Sequence, residues 1–272
     1  PVPGCVAGNR IYHTAHIGTM GTEPTTDEHV TKRRDVLAAL ASPKTKPELV
    51  DALDSSRSTV DRAIRSLSDC DLVERQGSEY RATYMGREAL SAYDRFLTRV
   101  TALERAQPVL DALPPTVDID PAVLEGAMVV ESTPEAPEAP MEANMDYVTG
   151  ATRFRGTGPT VLPRHFDLMR DLVEQGTETE LVLTESVVGA LTETYAEDFE
   201  ALSGTEELSV YMTDEQMSFA VWTAESPDRT GSGIVVYDDT GVAGVINNDT
   251  EAMNEWVKSV YERYKTGTEQ VL

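Results

Sequence analysis

The stretch from Thr45 to Arg81, TKPELVDALDSSRSTVDRAIRSLSDCDLVERQGSEYR, constrains the fold more than any other. Thr45-Lys46-Pro47-Glu48 fits a capping box, in which a threonine hydroxyl and a glutamate three residues on satisfy each other's backbone donors. A helix should begin there, with Leu49, Val50 and Leu53 on one side, and end in the polar turn Asp54-Ser55. Ser56 can cap a second helix. Its Val60, Ala63, Ile64 and Leu67 recur at three- and four-residue spacing, forming one buried stripe, while Arg57, Ser58, Asp61, Arg62 and Arg65 are left to solvent. From Glu74 to Arg81 the pattern becomes strand-like, with Gly77-Ser78 at the tip and Arg75 and Arg81 on the two arms of a hairpin. Helix, turn, helix, hairpin is the order of a winged helix-turn-helix.

A major groove accepts one helix, and arginine carries the planar donor fork that suits guanine edges and phosphate oxygens. The expected DNA-contacting set is therefore Ser56, Arg57, Ser58, Thr59, Arg62 and Arg65 on or at the start of the second helix, Thr45 and Lys46 at the preceding helix N-terminus, and Arg75 and Arg81 on the wing. SRSTVDRAIRSLSDCDLVE resembles the recognition helix and wing entry of archaeal winged-helix transcription regulators related to the MarR-type and TrmB-like proteins, a likeness covering roughly residues 30–97. Members usually carry glycine before the leucine that opens the wing; this chain has Asp71 before Leu72.

The 272 residues carry a net charge of −24, unevenly placed. Up to Gln107 there are 15 Lys and Arg against 15 Asp and Glu, and beyond it 8 against 32. Such acidity resembles that of proteins from salt-loving archaea, where it solvates the surface; the alternative is a DNA-mimicking role. Near 1 M salt the screening length falls to about 3 Å, so affinity for DNA would have to come from close contacts and dimerisation.

Residues 1–26 are expected to be a disordered leader, and Pro1 to Thr19 a leader or an artefact of upstream translation, because natural starts resemble Met20-Gly21. His13 and His16 have no further ligands with metal-site spacing, and Cys5 and Cys70 make neither a metal motif nor a disulfide framework. Cys70 can serve as a small core residue or as a redox sensor. A winged domain with its linker helix is placed at residues 27–107. A first helix from Asp27 to Ala41 carries Val30, Val36, Leu37 and Leu40, and Lys32, Arg33 and Arg34 either graze phosphate or face solvent. A long helix from Met85 to Ala106 either forms a dimer seam or covers the winged core, and Pro108 to Pro115 should end it.

Residues 116–272 are assigned to an α/β domain, so the fold class is α+β with a mixed sheet in the second half. Ala127 to Val130 reads as a buried strand, Ser132 to Pro140 as a solvated connection and Glu142 to Thr149 as a helix. Arg153 to Gly156 is a strand leaving through a glycine turn, in which Gly156-Thr157-Gly158-Pro159 either receives an anion or is a plain turn. Pro163 to Gln175 and Glu185 to Leu202 read as helices, with a strand at Leu181 to Leu183 between them. Four strands follow, with a hairpin turn at Asp238-Asp239-Thr240-Gly241, and an amphipathic helix from Thr250 to Lys265. SGIVVYDDTGVAGVINND and EAMNEWVKSVYERYK resemble the effector domain shared by methanogenesis regulatory proteins and many haloarchaeal regulators, over about residues 121–271. The resemblance implies a ligand- or partner-responsive domain. Arg153, Arg155 and Arg164 could receive a small anionic effector, or else pair with nearby carboxylates.

No catalytic constellation, cofactor motif or metal site is expected: His165 lacks a partner spacing that would make it a base, and the glycine loop lacks the lysine of a phosphate-binding loop. No apolar run approaches the ~20 residues needed to span a bilayer, and a cytoplasmic location is expected. The function anticipated is a homodimeric, sequence-specific DNA-binding transcription regulator. The alternative is a winged-helix interaction scaffold that does not bind DNA.

Overall fold

Thr45 and Ser56 set the local structure of the first half as their side chains require. In the computed structural model, which describes residues 25–239 and 241–272, the Thr45 hydroxyl accepts from Glu48 N while Glu48 Oε2 accepts from Thr45 N, the reciprocal pair of a capping box. Ser56 Oγ accepts from Thr59 N at 3.2 Å. The elements they start are α2 (Lys46–Ala52) and α3 (Arg57–Asp69), preceded by α1 (Thr26–Ala39) and a two-residue strand β1 (Lys44–Thr45). The wing is β2 (Val73–Gln76) and β3 (Glu79–Ala82), with Gly77 at φ 62° in the turn. The expectation of a two-stranded wing misses β1, which pairs with β3 through Lys44 opposite Tyr80, making a three-stranded sheet in the order β1-β3-β2. The leader and Cys5, His13 and His16 lie outside the described residues.

Leu37, Leu40, Leu49, Leu67 and Leu72 are fully buried and form the centre of this unit, which extends to Asp94. Burying a leucine stabilises by about 1.5–3 kcal/mol, so these side chains tie the three helices and the wing together. Asp71 sits at φ 57°, in the left-handed region that favours glycine. Cys70 packs against the same core, and burial, followed by the carboxylates of Asp69 and Asp71, pushes its thiol pKa up. The helix α4 (Tyr84–Leu110) begins where Thr83 Oγ1 accepts from Gly86 N. It ends later than the prolines suggest. Pro108 lies in its last turn, where a missing N–H costs one hydrogen bond, and fully buried Val109 holds that turn in place.

The second unit, from Arg95 on, is built on an eight-stranded sheet. Its strands are β4 (Met128–Glu131), β5 (Arg153–Gly158), β6 (Glu178–Thr184), β7 (Leu208–Thr213), β8 (Phe219–Glu225), β9 (Thr230–Asp238), β10 (Gly241–Asn248) and β11 (Glu269–Gln270), in the order β11-β7-β6-β5-β8-β9-β10-β4. β5, β6 and β7 are parallel, and parallel neighbours need crossover connections. These are α6 (Pro163–Glu174) and the pair α7 (Glu185–Glu193) and α8 (Ala196–Ser203); α5 (Ala139–Val148) precedes β5. β8, β9 and β10 form an antiparallel meander. α5 to α8 cover Phe154, Leu183, Val210, Trp222 and Val245 on one face of the sheet. The closing helix α9 (Glu251–Lys265), with Ala106 and Val109 of α4 and a 3-10 turn at Pro121–Leu124, covers Val182, Val221, Ile234 and Ile246 on the other.

Four local expectations are corrected. Glu185 to Leu202 is two helices, because the chain turns at Thr194 and Tyr195, and the Tyr195 ring packs 5.3 Å from that of Phe166. Gly156 starts no turn: it pairs with Leu181 on one side and Trp222 on the other, and Thr157 Oγ1 accepts from Val221 N, so β5 runs on through Gly158 as an interior strand. β4 is half-buried rather than buried, because it is an edge strand paired only with β10. α5 starts at Ala139, three residues before its expected first residue, with Pro140 buried in its first turn.

Candidate nucleic-acid interface

On α3 the buried stripe fixes which residues can face a partner. Val60, Ala63, Ile64 and Leu67 point into the winged core, so Ser58, Arg62 and Arg65, spaced four and three residues apart, share the opposite face. Arg57, Ser58, Arg62 and Arg65 are all exposed. Arg62 Nε donates to Ser58 O at 3.2 Å. Among the described residues, Arg57, Arg62 and Arg65 make no ion pair. Three uncompensated guanidinium groups on one 13-residue helix of an acidic protein form a donor surface for base edges or phosphate oxygens.

The remaining residues of the expected set are engaged. Lys46 Nζ lies 2.6 Å from Asp61 Oδ1, which raises its pKa, and 5.6 Å from the centre of the Tyr80 ring. Arg75 Nε donates to Gly77 O at 2.7 Å, with its guanidinium carbon 5.9 Å from the centre of the Tyr80 ring. Arg81 Nε is 2.6 Å from Glu74 Oε1. Thr45 donates to Glu48 Oε2, and Ser56 and Thr59 share a hydroxyl contact of 2.9 Å within the cap. Lys32 pairs with Glu28 and Arg34 with Asp94, the second at 2.7 Å. The structure thus brings Arg62 and Arg65 together with Ser58 on one face of α3, leaves Arg57 exposed at the helix start, and pairs Lys46 and Arg81 with local carboxylates. Tyr80, which meets both Lys46 and Arg75, is the residue that the sequence reading misses; its signal is an aromatic at the centre of the wing's second arm.

In the second unit the three arginines do not converge. Arg153 Nη2 lies 2.5 Å from Glu178, and Arg155 spans Glu180 at 3.1 Å and Glu225 at 3.3 Å, both on the α9 face. Arg164, on α6 against the opposite face, pairs with Glu138. Lys265 Nζ also reaches Glu180 at 2.6 Å; burial raises the Glu180 pKa, and the Lys265 and Arg155 hydrogen bonds outweigh it, leaving it below the usual carboxylate range. Pairing with carboxylates, the second of the two readings drawn from the sequence, describes all three. His165 Nδ1 accepts from Leu162 N at 3.3 Å, and burial pushes its pKa down to about 4. Among the described residues no group of three or more His, Cys, Asp or Glu could hold a metal ion, and no helix is long and apolar enough to cross a membrane.

Residues 137–267 match the family described as the middle domain of the methanogenesis regulatory protein FilR1, and residues 26–105 match the HVO_A0261 N-terminal domain. No curated protein matches the chain. Among solved structures, TrmBL2, an archaeal chromatin protein, is 13% identical, with 89% of this chain and 94% of that chain covered at a TM-score of 0.40. The phosphatidylserine synthase of Haemophilus influenzae Rd KW20 is 12% identical, with 53% and 39% covered at 0.36. At such TM-scores neither likeness bears on activity.

Proposed function

We propose that this chain, a transcription regulator of archaeal type that joins an HVO_A0261-type N-terminal domain to a FilR1-type domain, binds double-stranded operator DNA as a homodimer in the cytoplasm. α3 enters the major groove, Ser58, Arg62 and Arg65 contact bases and phosphates, Arg57 anchors the helix start, and Arg75 and Arg81 hold the wing to the backbone. The observation that carries this reading is the exposed, ion-pair-free state of Arg57, Arg62 and Arg65 on a single helix whose apolar stripe is buried in the winged core. A scaffold has no need of that face.

The dimer uses α4, where Phe96, Leu97 and Leu103 are exposed at 59%, 36% and 41%. Exposed large apolar side chains grouped on one helix mark an association surface. The second unit senses a ligand or partner. A mobility-shift titration with DNA from the chain's own promoter region tests the reading: saturable, sequence-dependent binding that weakens as salt rises is expected. Absence of any shift at low salt would overturn it in favour of an interaction scaffold.

A further inference from the structure

Between the sheet and α5 to α8 lies a cavity of about 120 Å³, walled by side chains that include Phe154, Phe166, Met169, Leu183, Val210 and Trp222. Protein interiors close-pack with few voids larger than a water molecule, so an apolar recess of this size, partly open to its surroundings, calls for an occupant. For scale, an apolar cavity of about 150 Å³ in another protein stays dry and binds benzene.

At and beside Trp222, one of the wall residues, lie two buried polar atoms without partners. Trp222 is 5% exposed, and among the described residues its Nε1 has no hydrogen-bond partner; nor has Oδ1 of the fully buried Asn247. Both crowd Gly233, which pairs with Trp222 on one side and Asn247 on the other. A Cβ on Gly233 would lie 2.5 Å from Trp222 Cε2 and 2.4 Å from Asn247 Oδ1. Asn247 Nδ2 donates to Oδ1 of Asn144, itself a cavity residue, at 2.8 Å. An indole N–H left without an acceptor in a buried site is costly; a small shift of Asn247 Oδ1 would supply one, and so would a ligand in the cavity that reaches Trp222. No Asp, Glu, Lys or Arg lines the cavity, and His165, which does, is neutral. An ionised ligand would lose its hydration there and gain no counter-charge.

We propose that this cavity is the effector site of the second unit and that it takes a small, uncharged, largely aromatic molecule bearing a hydrogen-bond acceptor for Trp222. The inference rests on the regulator reading for its meaning as an effector site, though the binding itself does not depend on it. It replaces the three arginines as the place where a ligand acts.

The test uses the full chain with phenol as the probe, benzene as the analogue lacking an oxygen, and inorganic phosphate as the anion. Trp256→Phe leaves Trp222 as the only indole, so its emission reports on the cavity, and melting temperature gives a second readout. Phenol and benzene should both bind saturably and raise the melting temperature, phenol about fivefold to tenfold more tightly, and phosphate should do neither. Trp222→Phe should abolish the preference for phenol while benzene still binds, and Ala220→Leu, which fills the space, should abolish both. Leu181→Phe repeats the filling at another wall position should Ala220→Leu fold poorly. Absence of saturable phenol binding, binding undiminished by filling, or competition by phosphate would overturn the proposal. Promoter binding measured without probe separates the two readings: phenol binding without a DNA shift sinks the regulator alone, and a DNA shift without phenol binding sinks the cavity alone.

Discussion

Arg62 donates from Nε to the main-chain oxygen of Ser58, one helical turn earlier and 3.2 Å away, which braces the guanidinium against its own helix without a carboxylate. A group held in this way keeps its terminal donors for a partner and loses less side-chain freedom on binding. Arg81 uses the same nitrogen, but on the Glu74 carboxylate 2.6 Å away, so its charge is already compensated.

Arg62→Ala is therefore expected to weaken specific DNA binding by about 1–3 kcal/mol, and Arg81→Ala by clearly less. Titrations at matched salt check this, and equal losses for the two variants would contradict the assignment.

If the proposed dimer forms on α4, Phe96→Glu should leave a monomer in sedimentation measurements with its helix content unchanged, because Phe96 is 59% exposed in the single chain. A dimer that survives the substitution would move the interface elsewhere.

Backbone geometry in the winged unit gives a pair of opposite outcomes. Asp71→Gly relieves a left-handed residue at φ 57° and should raise stability by up to about 1 kcal/mol. Gly86→Ala places a Cβ 2.1 Å from the Leu72 carbonyl oxygen and should lower it by about 1–3 kcal/mol. Urea midpoints decide both.

His165 provides a pH dependence with a definite sign. Its pKa is about 4 in the fold against 6.5 ordinarily, through burial. Between those values the unfolded chain holds the extra proton, so this histidine's contribution to stability falls as pH drops through the window from 6.5 to 4. Going from pH 7 to pH 5 should cost the wild type about 2 kcal/mol more than His165→Phe. Parallel pH profiles for the two proteins would show that the site is not buried as described.

Much of the winged unit was legible because its signals are local. The Thr45–Glu48 box and the Ser56 cap lie within four residues of what they satisfy, and the α3 stripe follows a single period. Asp71, flagged as standing where glycine is usual, does adopt the glycine conformation. The arginines were harder: the sequence shows Arg155 but not that Glu180 and Glu225, 25 and 70 residues away, close on it. The cavity was not visible at all, since its walls span residues 141 to 237. One clue was present. Gly233 inside a strand run marks a close approach, and only the sheet register shows that Trp222 and Asn247 are what approaches.

The sheet of the second unit starts with a two-residue strand, β11, and finishes with a four-residue one, β4. Long bare edges invite another molecule to continue the ladder, and edges this brief offer little template for it. Copies of the chain at high concentration would then find little backbone to anneal through, the kind of contact that ends in fibres.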